Sequence, residues 1–206
     1  MSLLVLGGCD FQRMALEQTA GILKQSMPAF EREWDWELVA AALPGNIKTI
    51  EGFLQAGPGN ADLLLMASQA YTSYGMIVLE DRWERAEEFS PAAEKLAQRT
   101  REMYMRGHRY ALRLLELRHP GIRAAARKGV KALRPFMDRC TREDVPGLFW
   151  AGMPLGMAIN MSRDDVEMIA RMPVAKLLVQ RVKELDDTYY HGGVHMVFGA
   201  LLGSTS

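Results

Sequence analysis

Two histidines four residues apart, His191 and His195, have the spacing of a shared metal site. On one helix, imidazoles at i and i+4 point to the same side and can bind a common ion. The stretch His191-Gly192-Gly193-Val194-His195 has no glutamate to serve as a zincin base. Its two glycines favour a turn at His191, ahead of a helix. The expectation is therefore no metal, with His195 hydrogen-bonded in a cavity or core. Asp186 and Asp187 read as a turn or capping element for the segment that follows, not as a metal pair. Cys140 lies between Arg139 and Arg142, cations that can depress a thiol pKa. No His, Asn or Asp arrangement beside it makes a nucleophile site, so it reads as a structural thiol. The sequence has no Gly-rich phosphate loop and no Cys-x-x-Cys. It predicts no catalytic residue, no cofactor and no enzymatic activity.

The bulk numbers exclude further classes. Lys plus Arg and Asp plus Glu both count 25 in 206 residues. A balanced chain has no global field for nucleic acid, so no nucleic-acid partner is expected. Two cysteines are too few for a disulfide framework. Fourteen methionines fit ordinary core filling. No charge-free apolar run approaches the roughly 18 residues of a membrane span. Cys9 stands apart. The run Leu3-Leu4-Val5 followed by Leu6-Gly7-Gly8-Cys9 resembles a bacterial lipoprotein signal box, although no basic segment precedes it. Residues 1–9 are read as the remnant of such a signal, with Cys9 as the lipidation site, and 10–206 as one domain.

The elements that must position these residues read as helices throughout. Period-2 alternation is absent, and Ala, Leu, Met, Glu and Arg dominate. Asp10 is a candidate cap for a first helix ending near Met27. Leu43, Ile47, Ile50 and Leu54 then mark one face of a second helix, stopped by Gly57-Pro58-Gly59. Asn60 caps a third helix, apolar on nearly every side from Leu63 to Leu79, and a charged loop follows at 80–89. Ser90-Pro91 opens a long one-sided outer helix with a predicted stripe of Leu96, Met103, Tyr110, Leu114 and Leu117, and small Thr100 and Gly107 in the same row. Residues 118–142 are basic and amphipathic, and read as a solvated outer face. Thr141 to Asp144 resembles a capping box opening a second enclosed helix around Trp150. Pro154 predicts a kink in that helix. A one-sided helix begins at Pro173, and a last enclosed one holds Val194 to Leu202.

Enclosed and one-sided helices thus alternate, as in stacked helical hairpins whose inner helices are covered by neighbours. The expected fold is all-α, a superhelix of hairpin repeats resembling tetratricopeptide repeats. Its last enclosed helix has no following partner, which predicts C-terminal truncation or cover by an oligomer. Tyr71, Tyr74, Trp150 and Asn160 sit on enclosed helices. With His195, they are the candidate cavity residues for a small ligand.

Three phrases carry a more specific resemblance: residues 46–54 (Asn46 to Leu54), 145–151 (Val145 to Ala151) and 181–195 (Arg181 to His195). Together with the Pro-Gly-Asn joint at 58–60, they resemble the T component associated with tripartite ATP-independent periplasmic (TRAP) transporters. The resemblance implies a periplasmic lipoprotein scaffold, anchored to a membrane by lipid only and oligomeric. It implies docking with the transporter's solute-binding protein and a helical pore that receives a small hydrophobic or organic ligand. A cytoplasmic, tetratricopeptide-like peptide-binding adaptor is the alternative that the residues leave open.

Overall fold

The computed structural model describes residues 7–162 and 164–203, and side-chain surroundings for 14–162 and 164–199. The Cys9 side chain, and residues 1–6 of the signal-like segment, lie outside these. Every regular element among the described residues is helical.

The chain opens with α1 (Gly7–Glu31) and α2 (Trp36–Ala56). Helix α1 begins before Asp10, which therefore lies inside it and is not its cap. Asp35 caps α2, accepting from the Glu37 and Leu38 amides at 3.0 and 3.2 Å. The 4-3-4 spaced face of α2 is buried as expected, with Leu43, Ile47, Ile50 and Leu54 all inside. Pro44 sits on the exposed side of an unbroken helix. Asn60 then caps α3 (Ala61–Ser73), accepting from the Leu63 amide at 2.9 Å. Helix α3 does not simply end. It widens into a π-helical stretch, Tyr74–Glu80, and a short α4 (Asp81–Glu84), where the sequence suggests a continuing helix and then a loop.

Ser90 caps α5 (Pro91–Arg118), accepting from the Ala93 amide. The basic segment forms α6 (Ile122–Lys128) and α7 (Val130–Met137), divided at Gly129 with φ near +98°. Of the apolar positions at helical spacing, Ile122, Ala126, Leu133 and Met137 are buried and Val130 is half-buried. The Thr141 box leads through a single 3-10 turn into α8 (Val145–Asn160), which contains Pro154. A short α9 (Val166–Ile169), α10 (Met172–Leu185) and α11 (Tyr189–Gly203) complete the chain.

Packing departs from the sequence expectation at α5. Its buried residues are Ala93, Thr100, Tyr104, Gly107, His108, Ala111, Leu112 and Leu115; of the predicted row, the small Thr100 and Gly107 are among them, Leu96, Met103, Tyr110 and Leu114 are half-buried, and Leu117 is exposed. Helix α5 is a central helix, pressed against α3 on one side and α8 on the other. Small residues allow this. A Cβ on Gly107 would overlap Thr72 Oγ1 and lie 3.0 Å from the Ser68 carbonyl oxygen. The close approach is secured by polar bonds. Ser68 Oγ donates to the Gly107 carbonyl at 2.8 Å, and Thr72 Oγ1 donates to Ser68 O at 2.7 Å.

Helices α3 and α8 are walled in, as their all-round apolar sequences require. Helix α8 meets α5 and α10 on its flanks, and α11 leans on α8 and α10. The expectation that α11 is likewise enclosed is corrected. Val194 is buried, but Met196 is 76% exposed and His195 also faces water. Helix α11 has packed neighbours on one side, and its apolar sequence does not by itself supply the others.

Candidate functional site

A cavity of about 400 Å³ opens where the N-terminal helices meet the start of α11. Helix α1 and the turn after it contribute Met27, Phe30, Glu31 and Glu33; α2 contributes Trp36, Val39, Leu43 and Asn46. The opposite wall is Gln69, Ala70 and Ser73 of α3 with Ile77 of the π-helical stretch, and Trp150, Tyr190 and His191 close one end. The walls are mostly apolar and aromatic, with a few convergent amide, hydroxyl, carboxylate and imidazole groups. That is the usual constitution of a small-molecule site.

Local features hold these walls in place. Glu33 Oε1 accepts from the Asp35 amide at 3.0 Å, fixing the turn that leads into the Asp35 cap and Trp36. The π-helical stretch, a rare geometry that tends to mark functional sites, begins directly after Ser73 and carries Ile77. At the far end, Tyr190, His191 and Gly192 have φ of 51°, 58° and 73°. Left-handed backbone at two non-glycine residues costs roughly 1 kcal/mol or more each. Packing offsets that cost. The Tyr190 ring lies 5.1 Å from Trp150 and 5.6 Å from Phe149, and Phe149 also meets Tyr189 at 5.4 Å. Trp150 is 1% exposed, and its buried Nε1 has no hydrogen-bond partner. Burial raises the Tyr189 hydroxyl pKa, and the nearby indole N–H opposes that rise without reaching hydrogen-bond geometry.

The sequence profile of the TRAP transporter T-component matches residues 32–206. The chain belongs to that family. It is also 27% identical over 210 residues to an uncharacterized protein of Treponema pallidum (strain Nichols), an alignment covering 94% of this chain and 65% of that protein. The chain thus spans 65% of the length of this relative. The family is thus a component of a transport system.

Within this T-component chain, the predicted cavity residues separate. Trp150 lines the cavity. Tyr71 does not: Ala70 faces the cavity, and the next residue of a helix turns about 100° away. Tyr71 is 2% exposed and its hydroxyl donates to Glu51 Oε1 at 2.6 Å. Tyr74 packs half-buried against the α2–α3 core. Asn160 is exposed at the end of α8, about 15 Å along the axis from Trp150. His195 is exposed, 3.9 Å from Asp187. The turn at His191 is as expected, and its left-handed backbone removes the helical register that a His191–His195 pair would need. Asp186 is a turn element as read, accepting from the Thr188 amide and hydroxyl at 3.1 and 2.7 Å. The walls contributed by α1, α2 and Tyr190 were missed, because no local pattern in 27–46 distinguishes a cavity wall from an ordinary amphipathic face.

Three polar clusters elsewhere are structural in character. Glu51 accepts from Tyr71, Tyr110 and Lys48, and Arg106 donates to the Tyr71 hydroxyl at 3.1 Å. Burial would raise the Glu51 pKa, but these hydrogen bonds outweigh it and lower it to about 2. His108 is buried between α5, α8 and α10. Its Nδ1 donates to Ala151 O at 2.7 Å, and Nε2 receives Arg171 at 3.3 Å. Burial, aided by the Arg171 charge and opposed by the Ala151 bond, lowers its pKa to about 4. His119, Cys140 and Asp144 converge, with ligand atoms within 4.8 Å of one another. Asp144 is already committed there: Oδ2 accepts from the Thr141 amide at 2.8 Å and meets His119 Nε2 at 3.1 Å, while Arg118 Nε stands 3.1 Å from Oδ1. Burial also raises the Cys140 pKa to about 11, which makes it a shielded thiol.

Proposed function

We propose that this T-component family member is a non-enzymatic periplasmic scaffold of a TRAP-type uptake system. It is tethered to the membrane through lipid on Cys9, docks the solute-binding protein and holds a small hydrophobic or organic ligand in its cavity. The observation that carries the ligand role is the cavity of about 400 Å³ with its largely apolar walls, in a chain whose family is a transporter component. The order of packing from α2 through α3, α5, α8 and α10 to α11 supports reading the helices as a tetratricopeptide-like stack. Docking would use the exposed 80–90 and 118–142 segments, the first of which presents Trp83 and an 86% exposed Phe89. The partly bare α11 is the face a second copy would cover in a homo-oligomer.

The test is capture from the native cell envelope, followed by mass spectrometry of proteins and small molecules. A TRAP solute-binding protein and a co-purifying organic molecule are expected. Their absence, together with full activity of the uptake system in a deletion strain, would refute the role. Globomycin-sensitive lipid labelling that Cys9→Ser abolishes is the corresponding result for the anchor; unmodified wild-type protein would exclude it.

A further inference from the structure

Charge in the cavity is one-sided. Glu31 and Glu33 both line it, and the described lining residues include no Lys or Arg. Glu33 spends one oxygen on the Asp35 amide, which leaves its charge in place. Among the described residues, no hydrogen bond or ion pair engages the Glu31 carboxylate. A second cavity of about 220 Å³ shares Met27, Glu31 and Gln69 with the first. Its single cation, Lys24, is neutralised by Asp62 at 2.8 Å. Glu31 therefore stands where the two spaces meet, without a countercharge.

Ring faces complement that charge. Phe30, Trp36, Trp150 and Tyr190 all border the larger cavity. Aromatic faces attract cations through the ring quadrupole, most strongly where water is excluded. Trp36 already has a cation near its ring: the Arg85 guanidinium lies 6.0 Å from its centroid, itself paired with Asp81 at 2.8 Å. An anionic ligand would meet two carboxylates with no compensating cation. Glu31 is exposed and Trp36 is 47% exposed, so a neutral ligand would leave the carboxylate to water, whereas an organic cation would engage the carboxylate and the rings together.

We infer that the cavity selects an apolar organic ammonium, its charged head held by Glu31 and Glu33 against the faces of Trp36 and Tyr190 and its hydrocarbon part lying along Met27, Val39 and Ile77. This deepens the ligand-holding role proposed above and rests on it.

Octyltrimethylammonium, octanoate and 1-octanol, each below its aggregation threshold, separate the two levels of the idea. Binding is read by calorimetry and by the change in intrinsic tryptophan fluorescence. The ammonium is expected to bind at least about tenfold more tightly than octanoate, with octanol between them. Glu31→Gln should weaken the ammonium about three- to tenfold and leave octanol unchanged, and Glu31→Lys should reverse the preference toward octanoate. The reversal is a gained preference that unfolding cannot imitate. Equal or tighter binding of octanoate to the wild type, or an unaltered preference in Glu31→Lys, overturns the charge selectivity and leaves ligand holding intact. Failure of all three probes to bind overturns both.

Discussion

Replacing Gly107 by alanine tests the claim that α5 is a central helix held close by small residues. In a solvated helix, glycine to alanine stabilises by about 1 kcal/mol. At Gly107 the new methyl would overlap Thr72 Oγ1 and stand 3.0 Å from the Ser68 carbonyl, which belongs to the backbone of α3 and cannot rotate away. Overpacking of this kind costs about 1–3 kcal/mol. Parting the helices would also stretch the 2.8 Å bond from Ser68 Oγ to Gly107 O, worth roughly 1 kcal/mol. The net expectation is a loss of about 1–3 kcal/mol, or a fall of roughly 3–10 °C in Tm for a chain of this size. Gly52 in α2 supplies the control, since a Cβ there meets nothing within 4 Å. Gly52→Ala should therefore stabilise by about 0.5–1 kcal/mol. Urea unfolding followed by far-UV circular dichroism measures both. If Gly107→Ala stabilises as much as Gly52→Ala, α3 and α5 are not in this contact and the account of the core is wrong.

Acid should act on His108. Its folded pKa of about 4 lies below the ordinary 6.5, so between those values the unfolded chain binds more protons. Stability should fall as pH drops from 6.5 toward 4, by up to about 1.4 kcal/mol per unit and about 3 kcal/mol in all; an equal pH slope in His108→Gln would contradict this. Glu51 and Tyr71 should show a coupling of about 1–2 kcal/mol in a double-mutant cycle of Glu51→Gln and Tyr71→Phe. Because the Glu51 pKa is lowered to about 2, its contribution is present above its unfolded value and lost as pH falls through about 2. The coupling should therefore be alike at pH 7 and pH 5.5, and a cycle that closes at zero would remove the proposed link. Ile77→Trp should fill part of the cavity and weaken uptake of an apolar probe about tenfold or more, since the lost space excludes ligand outright; undiminished binding would place the ligand elsewhere.

Much of the helical punctuation is legible in the residues, because it is chemistry at short range. Asn60, Ser90 and Asp165 each accept the amide bonds of the helix that follows, and the Thr141 box closes on Asp144. The face of α2 follows from spacing alone. The same reasoning misplaces α5, whose many charges suggest an outer helix. Thr100 and Gly107 lie in the predicted row and are buried, but the helix also buries Tyr104, His108, Ala111, Leu112 and Leu115, a wider face whose small members permit the approach of two neighbours. His108 shows the same limit: nothing beside it in the sequence says that Ala151 and Arg171 will meet its two nitrogens.

The sequence by itself determined that this chain is helical, where many of its helices begin and end, and which family it belongs to. These follow from caps, periodicity and recurring phrases, all of which act or can be read within a few residues. Tertiary structure alone decided that α5 lies at the centre and that a cavity exists. It brought Glu31 and Trp36 from one end of the chain to Trp150 and Tyr190 from the other. A cavity is the space left between packed elements, so no single segment encodes it. It depends on how closely α3, α5 and α8 approach and on where a left-handed turn sets the ring of Tyr190.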